Sequence, residues 1–177
     1  MGVSGSGRQI EILDHGQIAR VLLPPGWIES ELKASSGADA GESRQFHPGD
    51  SPEVALCLRY RGAKLSAEAG RLFSDLVQQP IHKLSRPEIR SLKEILKVSA
   101  DPFVFTLRDA RTEDRLGKRV LIIEGRYNED QKDSYEILID AQGTGRVVQE
   151  ISFLAPKADF ARYLFQVRAA LKSIQWK

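Results

Sequence analysis

The stretch KRVLIIEGRYNEDQKDSYEILIDAQGTGRVVQEISFLA, residues 118–155, decides the fold. Its three apolar segments, KRVLIIEGRY, SYEILID and GRVVQEISFLA, are separated by the short polar connections NEDQKD and AQGTG. Connections of hairpin length that are rich in turn-forming residues join neighbouring antiparallel strands. The sequence therefore predicts a three-stranded meander in the second half of the chain.

The segment after the meander has the clearest helical pattern. Its apolar stripe, at helical spacing, consists of Phe160, Tyr163, Leu164, Val167, Ala170, Leu171 and Ile174. Asp159 lies near the positive end of the helix dipole and Lys172 near the negative end, as electrostatics favours. We expect the stripe to be buried against the meander, with Arg162, Gln166 and Arg168 toward solvent.

Two more helices are predicted ahead of the meander. Ser66 caps the first, which ends before Pro80 and has the apolar stripe Leu72, Phe73, Leu76 and Val77. Ser85 and Glu88 form the capping box of the second, whose core stripe is Ile89, Leu92, Ile95 and Leu96. Helices inserted among strands that pair antiparallel indicate the α+β class.

The N-terminal part begins with strand and turn signals. QIEILD and QIARVLL predict a hairpin that ends at a Pro-Pro-Gly turn. We expect Trp27, directly after this turn, to seal one end of the sheet, because a rigid aromatic ring closes an edge efficiently. The alternative is a solvent-facing binding hot spot. After a small, polar loop at residues 34–42, SRQFHP predicts a strand that stops at Pro48.

Two further segments precede the meander or lie next to it. EVALCLRYR, residues 53–61, predicts a strand with the apolar face Val54, Leu56, Leu58 and Tyr60. PFVFTLRD predicts a strand with Phe103, Phe105 and Leu107 inward. The charged residues 109–117 predict a loop.

Length and composition restrict the class of protein. The 177 residues fit a flexible leader at residues 1–8 and one domain at residues 9–177. With 26 basic and 24 acidic residues the net charge is only +2, so we expect no nucleic-acid partner. We find no apolar stretch of membrane-spanning length and no signal peptide, and expect a cytoplasmic protein. Gly2 and Ser6 match the N-myristoylation pattern, but such a start is also typical of a flexible leader, which we favour.

Several of these features together resemble the PsbP superfamily. They are the LPPGW turn after the hairpin, the F-x-P strand end at residues 46–48, the central helices, the meander and the last helix with its short final strand SIQWK. The superfamily contains the extrinsic photosystem II subunit and the Ran-binding Mog proteins. The resemblance covers the chain from about Gln9 and implies an α/β/α sandwich with a central antiparallel sheet. It implies no site residues, because functional residues vary between the branches.

No residue pattern predicts a catalytic centre. His47, Asp50 and Glu53 could supply metal ligands, but they lack the regular helical spacing of persuasive metal motifs. The chain has no G-x-S-x-G element, and its GSG stretch lacks the lysine of a phosphate-binding loop. We expect Cys57, the single cysteine, to be a small apolar side chain in a strand. We therefore expect no catalytic residue, no cofactor and no metal.

Arginine side chains are the remaining signal for a binding surface. The strand residues Arg59, Arg61, Arg108 and Arg126 could together contact acidic groups of a partner protein. The alternative is a solvated sheet rim, in which each stem covers apolar surface. The resemblance implies docking onto a larger complex, so we expect a non-enzymatic binding or assembly-assisting protein. The other hypothesis is a small enzyme or ligand carrier with a pocket between sheet and helix.

Overall fold

Strands make up most of the fold, with helices inserted between them. The computed structural model describes residues 7–30 and 43–177. The strands are β1 (Arg8–Glu11), β2 (Ile18–Leu23), β3 (Trp27–Glu29), β4 (Ser43–Pro48), β5 (Ala55–Lys64), β6 (Phe105–Arg115), β7 (Lys118–Tyr127), β8 (Lys132–Asp140), β9 (Val147–Pro156) and β10 (Gln175–Trp176). The helices are α1 (Ala67–Gln78), α2 (Arg86–Ser91), α3 (Lys93–Leu96) and α4 (Lys157–Leu171), with a 3₁₀ turn at Lys97–Ala100. The predicted loop at residues 34–42 lies outside the described residues, as does the predicted leader up to residue 6.

The strands form two antiparallel sheets. Seven strands lie in the order β3-β4-β5-β9-β8-β7-β6, so the predicted meander β7-β8-β9 is confirmed and lies inside the larger sheet. The smaller sheet has the order β1-β2-β10. Its first pair is the predicted hairpin, and its third strand comes from the end of the chain. The backbone N–H of Lys177 also donates to the carbonyl oxygen of Gln17, at 2.8 Å.

Helices cover both faces of the seven-stranded sheet. We call the face toward α4 and the small sheet the front, and the face toward α1, α2 and α3 the back. On β7, Val120 and Ile122 belong to the front core, and Leu121 and Ile123 belong to the back core. Burial on both faces explains the continuous apolar run in this strand. The structure confirms the predicted α+β class, with helices on both sides of a large antiparallel sheet.

The predicted helix starts are confirmed, and one helix is shorter than predicted. The Ser66 hydroxyl accepts from the Ala69 N–H at 3.2 Å, and Ser85 and Glu88 complete a capping box. The predicted second helix is interrupted at Leu92, whose backbone leaves the helical region at φ −91° and ψ 16°. It therefore forms the separate helices α2 and α3, a break that the apolar spacing does not reveal.

The prediction of a charged loop at residues 109–117 is wrong. Most of this stretch belongs to β6, the edge strand of the larger sheet. Ala110 and Thr112 point to the buried side, while the alternating charged residues pair with one another. The Arg111 guanidinium lies 2.7 Å from Glu113 and 2.7 Å from Glu124. The charges of this strand thus pair with one another and with Glu124 on the neighbouring strand β7.

The prediction that Phe103 points inward is also wrong. Its side chain is 90% exposed, while Phe105 and its neighbour on β7, Tyr127, pack edge to face in the back core. The difference arises because β6 begins only at Phe105, and Phe103 belongs to the turn that precedes it.

The back of the sheet contains a buried carboxyl group, that of Glu136. It is 4% exposed, and it accepts hydrogen bonds from the hydroxyls of Ser99 at 2.8 Å, Ser134 at 2.8 Å and Tyr127 at 3.1 Å. Burial and the nearby charge of Glu150 raise the pKa of Glu136 above its ordinary value, against the opposing effect of the hydroxyls. The fold therefore favours the protonated form of this group.

Candidate functional site

The four arginines predicted to form an interaction surface lie on opposite faces of the sheet. Arg61 is buried at the back, where Nε lies 2.9 Å from Oε2 of Glu150 and Nη1 donates to the Ile95 carbonyl at 2.6 Å. Arg59 shares this face of β5 and lies opposite Glu150 in the register with β9. Arg61 therefore joins the sheet to α3 and is not available to a partner.

Arg108 and Arg126 converge on Asp133. Nη2 of Arg108 lies 2.7 Å from Oδ1 of Asp133, and Nε of Arg126 lies 2.6 Å from the same oxygen. Burial alone raises the pKa of Asp133, but the hydrogen bonds from the two guanidinium groups outweigh it and hold the pKa below its ordinary value. Both arginines are thus engaged within the chain, and the four predicted residues do not form one surface.

The other chemical candidates do not assemble into a reactive group. Among residues 7–30 and 43–177, no three His, Cys, Asp or Glu side chains gather as metal ligands, so His47, Asp50 and Glu53 do not converge. His47 Nδ1 lies 2.8 Å from the Pro48 carbonyl oxygen. Burial raises the pKa of Cys57 to about 11, which keeps its thiol protonated and unreactive near neutral pH.

Trp27 fixes α4 to the edge of the large sheet. It is 4% exposed, its ring packs edge to face on Tyr163 at 6.1 Å, and its Nε1 donates to Oε1 of Gln166 at 3.0 Å. The prediction that Trp27 seals an end of the sheet is confirmed, and the alternative of an exposed hot spot is wrong.

A cleft of about 360 Å³ lies beside Trp27, and we call it the Trp27 cleft. Within it, the Tyr163 hydroxyl lies 2.8 Å from Oγ of Ser51 and 3.3 Å from Oδ1 of Asp50. The Arg162 guanidinium lies over the Tyr163 ring at 4.8 Å. These contacts hold the cleft side chains in fixed positions. They also satisfy the polar atoms of these side chains by hydrogen bonds within the chain.

A second, more apolar depression adjoins the cleft and shares Pro25 and Gln166 with it. This Pro-Pro groove has a volume of about 430 Å³, and its walls include Leu22, Leu23, Pro24, Pro25, Phe165 and Ala169. Leu22 is 43% exposed and Phe165 is 79% exposed. The groove thus presents apolar side chains from the end of β2 on one side and from α4 on the other.

The side of α4 that faces away from the sheet completes this surface. We call it the outer face of α4, and it consists of the exposed residues Ala158, Ala161, Arg162, Phe165, Arg168, Ala169 and the C-cap Lys172. Three are basic, three are alanine, none is acidic, and Phe165 lies at the centre. A solvated helix face usually mixes both charge signs, whereas this face combines cations with an exposed aromatic ring.

Comparison with known proteins supports the fold and no specific activity. No protein-family model matches the chain, and no curated protein matches its sequence. The chain is similar to the solution structure of cyanobacterial PsbP (CyanoP) from Synechocystis sp. PCC 6803, with a TM-score of 0.59 and 15% sequence identity. The match covers 100% of this chain and 97% of that one. The fold is PsbP-like.

In this PsbP-like fold, the sequence pattern predicts one part of the candidate site. It singled out the Pro-Pro-Gly-Trp turn and the buried stripe of α4, whose residues Tyr163, Leu164, Val167, Ala170 and Leu171 are buried. It missed Phe165, which is the large apolar residue on the solvent side of the same helix. The signal was present, because Phe165 lies between Arg162 and Arg168 on the face opposite the stripe.

None of the helices among the described residues is long and apolar enough to cross a membrane.

Proposed function

We propose that this chain is a non-enzymatic docking protein that helps to assemble a larger protein complex. Its docking surface is the outer face of α4 together with the Pro-Pro groove. The observation that carries the proposal is Phe165, an aromatic side chain 79% exposed among cations and beside an apolar groove. Aromatic and arginine side chains are the residue types that most often dominate the binding free energy of protein interfaces.

The charge of this surface defines the chemistry of the partner. In the part of the chain that the structure describes, no carboxylate pairs with Arg162 or Lys172. Arg168 lies 4.0 Å from Glu124, at the limit of an ion pair. Acidic groups of a partner can therefore pair with these cations with little competition from carboxylates of the chain itself. The occupant that fits is an acidic protein segment with one apolar side chain to enter the groove.

The groove and the cleft also support binding over catalysis. An enzyme needs free polar groups that converge on a bound substrate. Here the polar groups of the cleft bond to one another, Trp27 to Gln166 and Tyr163 to Ser51. Phe165 extends into solvent and does not close over a pocket. We therefore favour the docking hypothesis over the small enzyme or ligand carrier.

A peptide-binding experiment tests the proposal. Short labelled peptides with a central Phe or Leu, flanked by Asp and Glu, are titrated with the protein and followed by fluorescence anisotropy. Matched peptides carry Lys in place of the acidic residues. We expect only the acidic peptides to bind, and we expect Phe165→Ala to weaken their affinity about tenfold, equivalent to about 1.4 kcal/mol. Arg162→Glu should weaken it by a similar factor.

The control is Leu116→Ala, which removes a side chain 53% exposed in the turn between β6 and β7, away from α4. It should bind the acidic peptides as the wild type does. Equal binding of acidic and basic peptides would contradict the proposal, as would binding that is unaffected by Phe165→Ala. Binding to phosphatidylglycerol vesicles without peptide binding would also overturn it, and would make the outer face a membrane surface.

A further inference from the structure

The turn at residues 101–104 presents Phe103 to solvent on a fixed backbone. The Phe103 N–H donates to Oδ1 of Asp101 at 2.9 Å, and the Val104 N–H donates to the Asp101 carbonyl at 3.1 Å. Nδ2 of Asn128 donates to the carbonyls of Pro102 and Phe103 at 3.2 and 3.1 Å. A side chain 90% exposed on so constrained a turn loses little backbone freedom when it binds.

The surroundings of Phe103 are acidic. The Phe103 turn contacts the connection between β7 and β8 through Asn128. Within residues 101–104 and 128–132 three charged residues are acidic and exposed, Asp101, Glu129 and Asp130, and one is basic, the half-buried Lys132. The arginines at this end of β6 and β7 do not neutralise them, because both bind Asp133. The turn is therefore a convex apolar tip among negative charges.

The Pro-Pro groove has the opposite properties. It is concave and apolar, and the outer face of α4 beside it is basic. We infer that the Phe103 turn of one copy of this chain docks in the Pro-Pro groove of a second copy. This inference rests on the proposed function, since it names the acidic segment with an apolar side chain that the groove accepts.

The two surfaces lie apart on each copy. The Phe103 turn precedes β6, and the Pro-Pro turn precedes β3, and these strands are the opposite edges of the seven-stranded sheet. Six strand spacings separate the two edge strands, roughly 29 Å at about 4.8 Å each. Phe103 is 90% exposed, so the turn does not occupy the groove of its own chain. Each copy then offers one free turn and one free groove, so two copies can pair reciprocally as a two-fold dimer, or further copies can add head to tail.

Sedimentation velocity from micromolar to millimolar concentration tests the inference with the whole chain. We expect the mean mass of the wild type to rise above that of the monomer with concentration, and to fall with added salt. Phe103→Ala removes the tip, and Ala169→Glu places a negative charge in the groove on a helix surface that accepts glutamate. Each variant alone should stay monomeric, while Leu116→Ala should associate as the wild type does.

The decisive measurement is an equimolar mixture of the two variants. The Phe103→Ala chain retains its groove and the Ala169→Glu chain retains its tip, so the mixture should form a dimer of one copy of each and nothing larger. A wild type that stays monomeric at every concentration overturns the inference. So does association of either variant alone, or a mixture that stays monomeric.

The peptide experiment separates this inference from the proposed function. Acidic peptides should bind Phe103→Ala as tightly as the wild type, because its groove is intact. If they do so while the wild type stays monomeric, the self-association fails and the docking function stands. If neither peptides nor copies bind, both fail.

Discussion

Glu136 shows how a single residue makes the stability of the fold depend on pH. The pKa of Glu136 in the folded chain lies above its ordinary value of 4.5. The folded chain therefore binds a proton at this carboxyl group more tightly than the unfolded chain does. The stability that this group contributes is therefore fully present below pH 4.5 and is lost as the pH rises through the folded pKa. The stability is lost because the ionised Glu136 carboxylate is buried away from water and lies near the charge of Glu150.

Glu136→Gln keeps the shape of the side chain and cannot ionise. Hydroxyl groups both donate and accept, so Ser99, Ser134 and Tyr127 can still bond to the amide. We expect the melting temperature of the variant, relative to the wild type, to rise as the pH increases from about pH 4 to about pH 8. Thermal unfolding followed by circular dichroism at several pH values measures it.

Glu94→Gln supplies a control of opposite sign. Hydrogen bonds from the Ser66 side chain and backbone lower the pKa of Glu94, so its contribution is present above the ordinary value and is lost as the pH falls through the folded pKa. That variant should be the less stable one near neutral pH, and the difference should vanish in acid. The argument about Glu136 is wrong if Glu136→Gln destabilises the fold equally at every pH.

At the scale of the element, the two sides of α4 have separate tasks. Leu164 is 8% exposed in the front core, while the next residue, Phe165, is 79% exposed. Leu164→Ala should lower the free energy of unfolding by about 2–5 kcal/mol, since it leaves a cavity. Phe165→Ala should change it by no more than about 0.5 kcal/mol, since it removes no core contact.

Urea denaturation of the two variants measures this difference directly, with the wild-type slope as the check that the unfolded states are comparable. Arg168→Ala, on the same outer face, should also leave the stability near that of the wild type. If Phe165→Ala destabilises the chain as much as Leu164→Ala does, Phe165 belongs to the core and the proposal of a docking surface on this side of α4 is wrong.

The elements also show how far the sequence predicts this fold. Periodicity and caps found the meander, α1 and α4, because burial on one face and local hydrogen bonds leave a pattern in neighbouring residues. Residues 109–117 were missed because their charges are neutralised by partners on another strand, such as Glu124. The groove could not be predicted, since residues 22–25 and 165–170 meet only through long-range packing.

At the scale of the whole molecule, one sheet belongs to two cores. Consecutive residues of β7 alternate between the front and back clusters, so neither cluster keeps its shape without the same strand. We therefore expect a single cooperative unfolding transition, as for one domain. A substitution that destabilises the back core should therefore destabilise the front core by the same amount.

Phe73→Ala tests this coupling, because Phe73 is fully buried in the back core and both tryptophans lie on the front. The transition seen by tryptophan fluorescence should shift to lower urea concentration by the same amount as the transition seen by circular dichroism. A fluorescence transition that stays in place while the helical signal moves would show that the two layers unfold separately.

The pairing of β10 with β2 has a consequence for biosynthesis. Residues 175–177 leave the ribosome after every other strand of this fold, yet they pair with a hairpin that left it before them. Until β10 has left the ribosome, β2 has no neighbour on one side, so the small sheet is completed only after the rest of the fold has been synthesised. A chain that lacks β10 thus has an open strand edge, and its unpaired backbone groups can bind a strand of another chain.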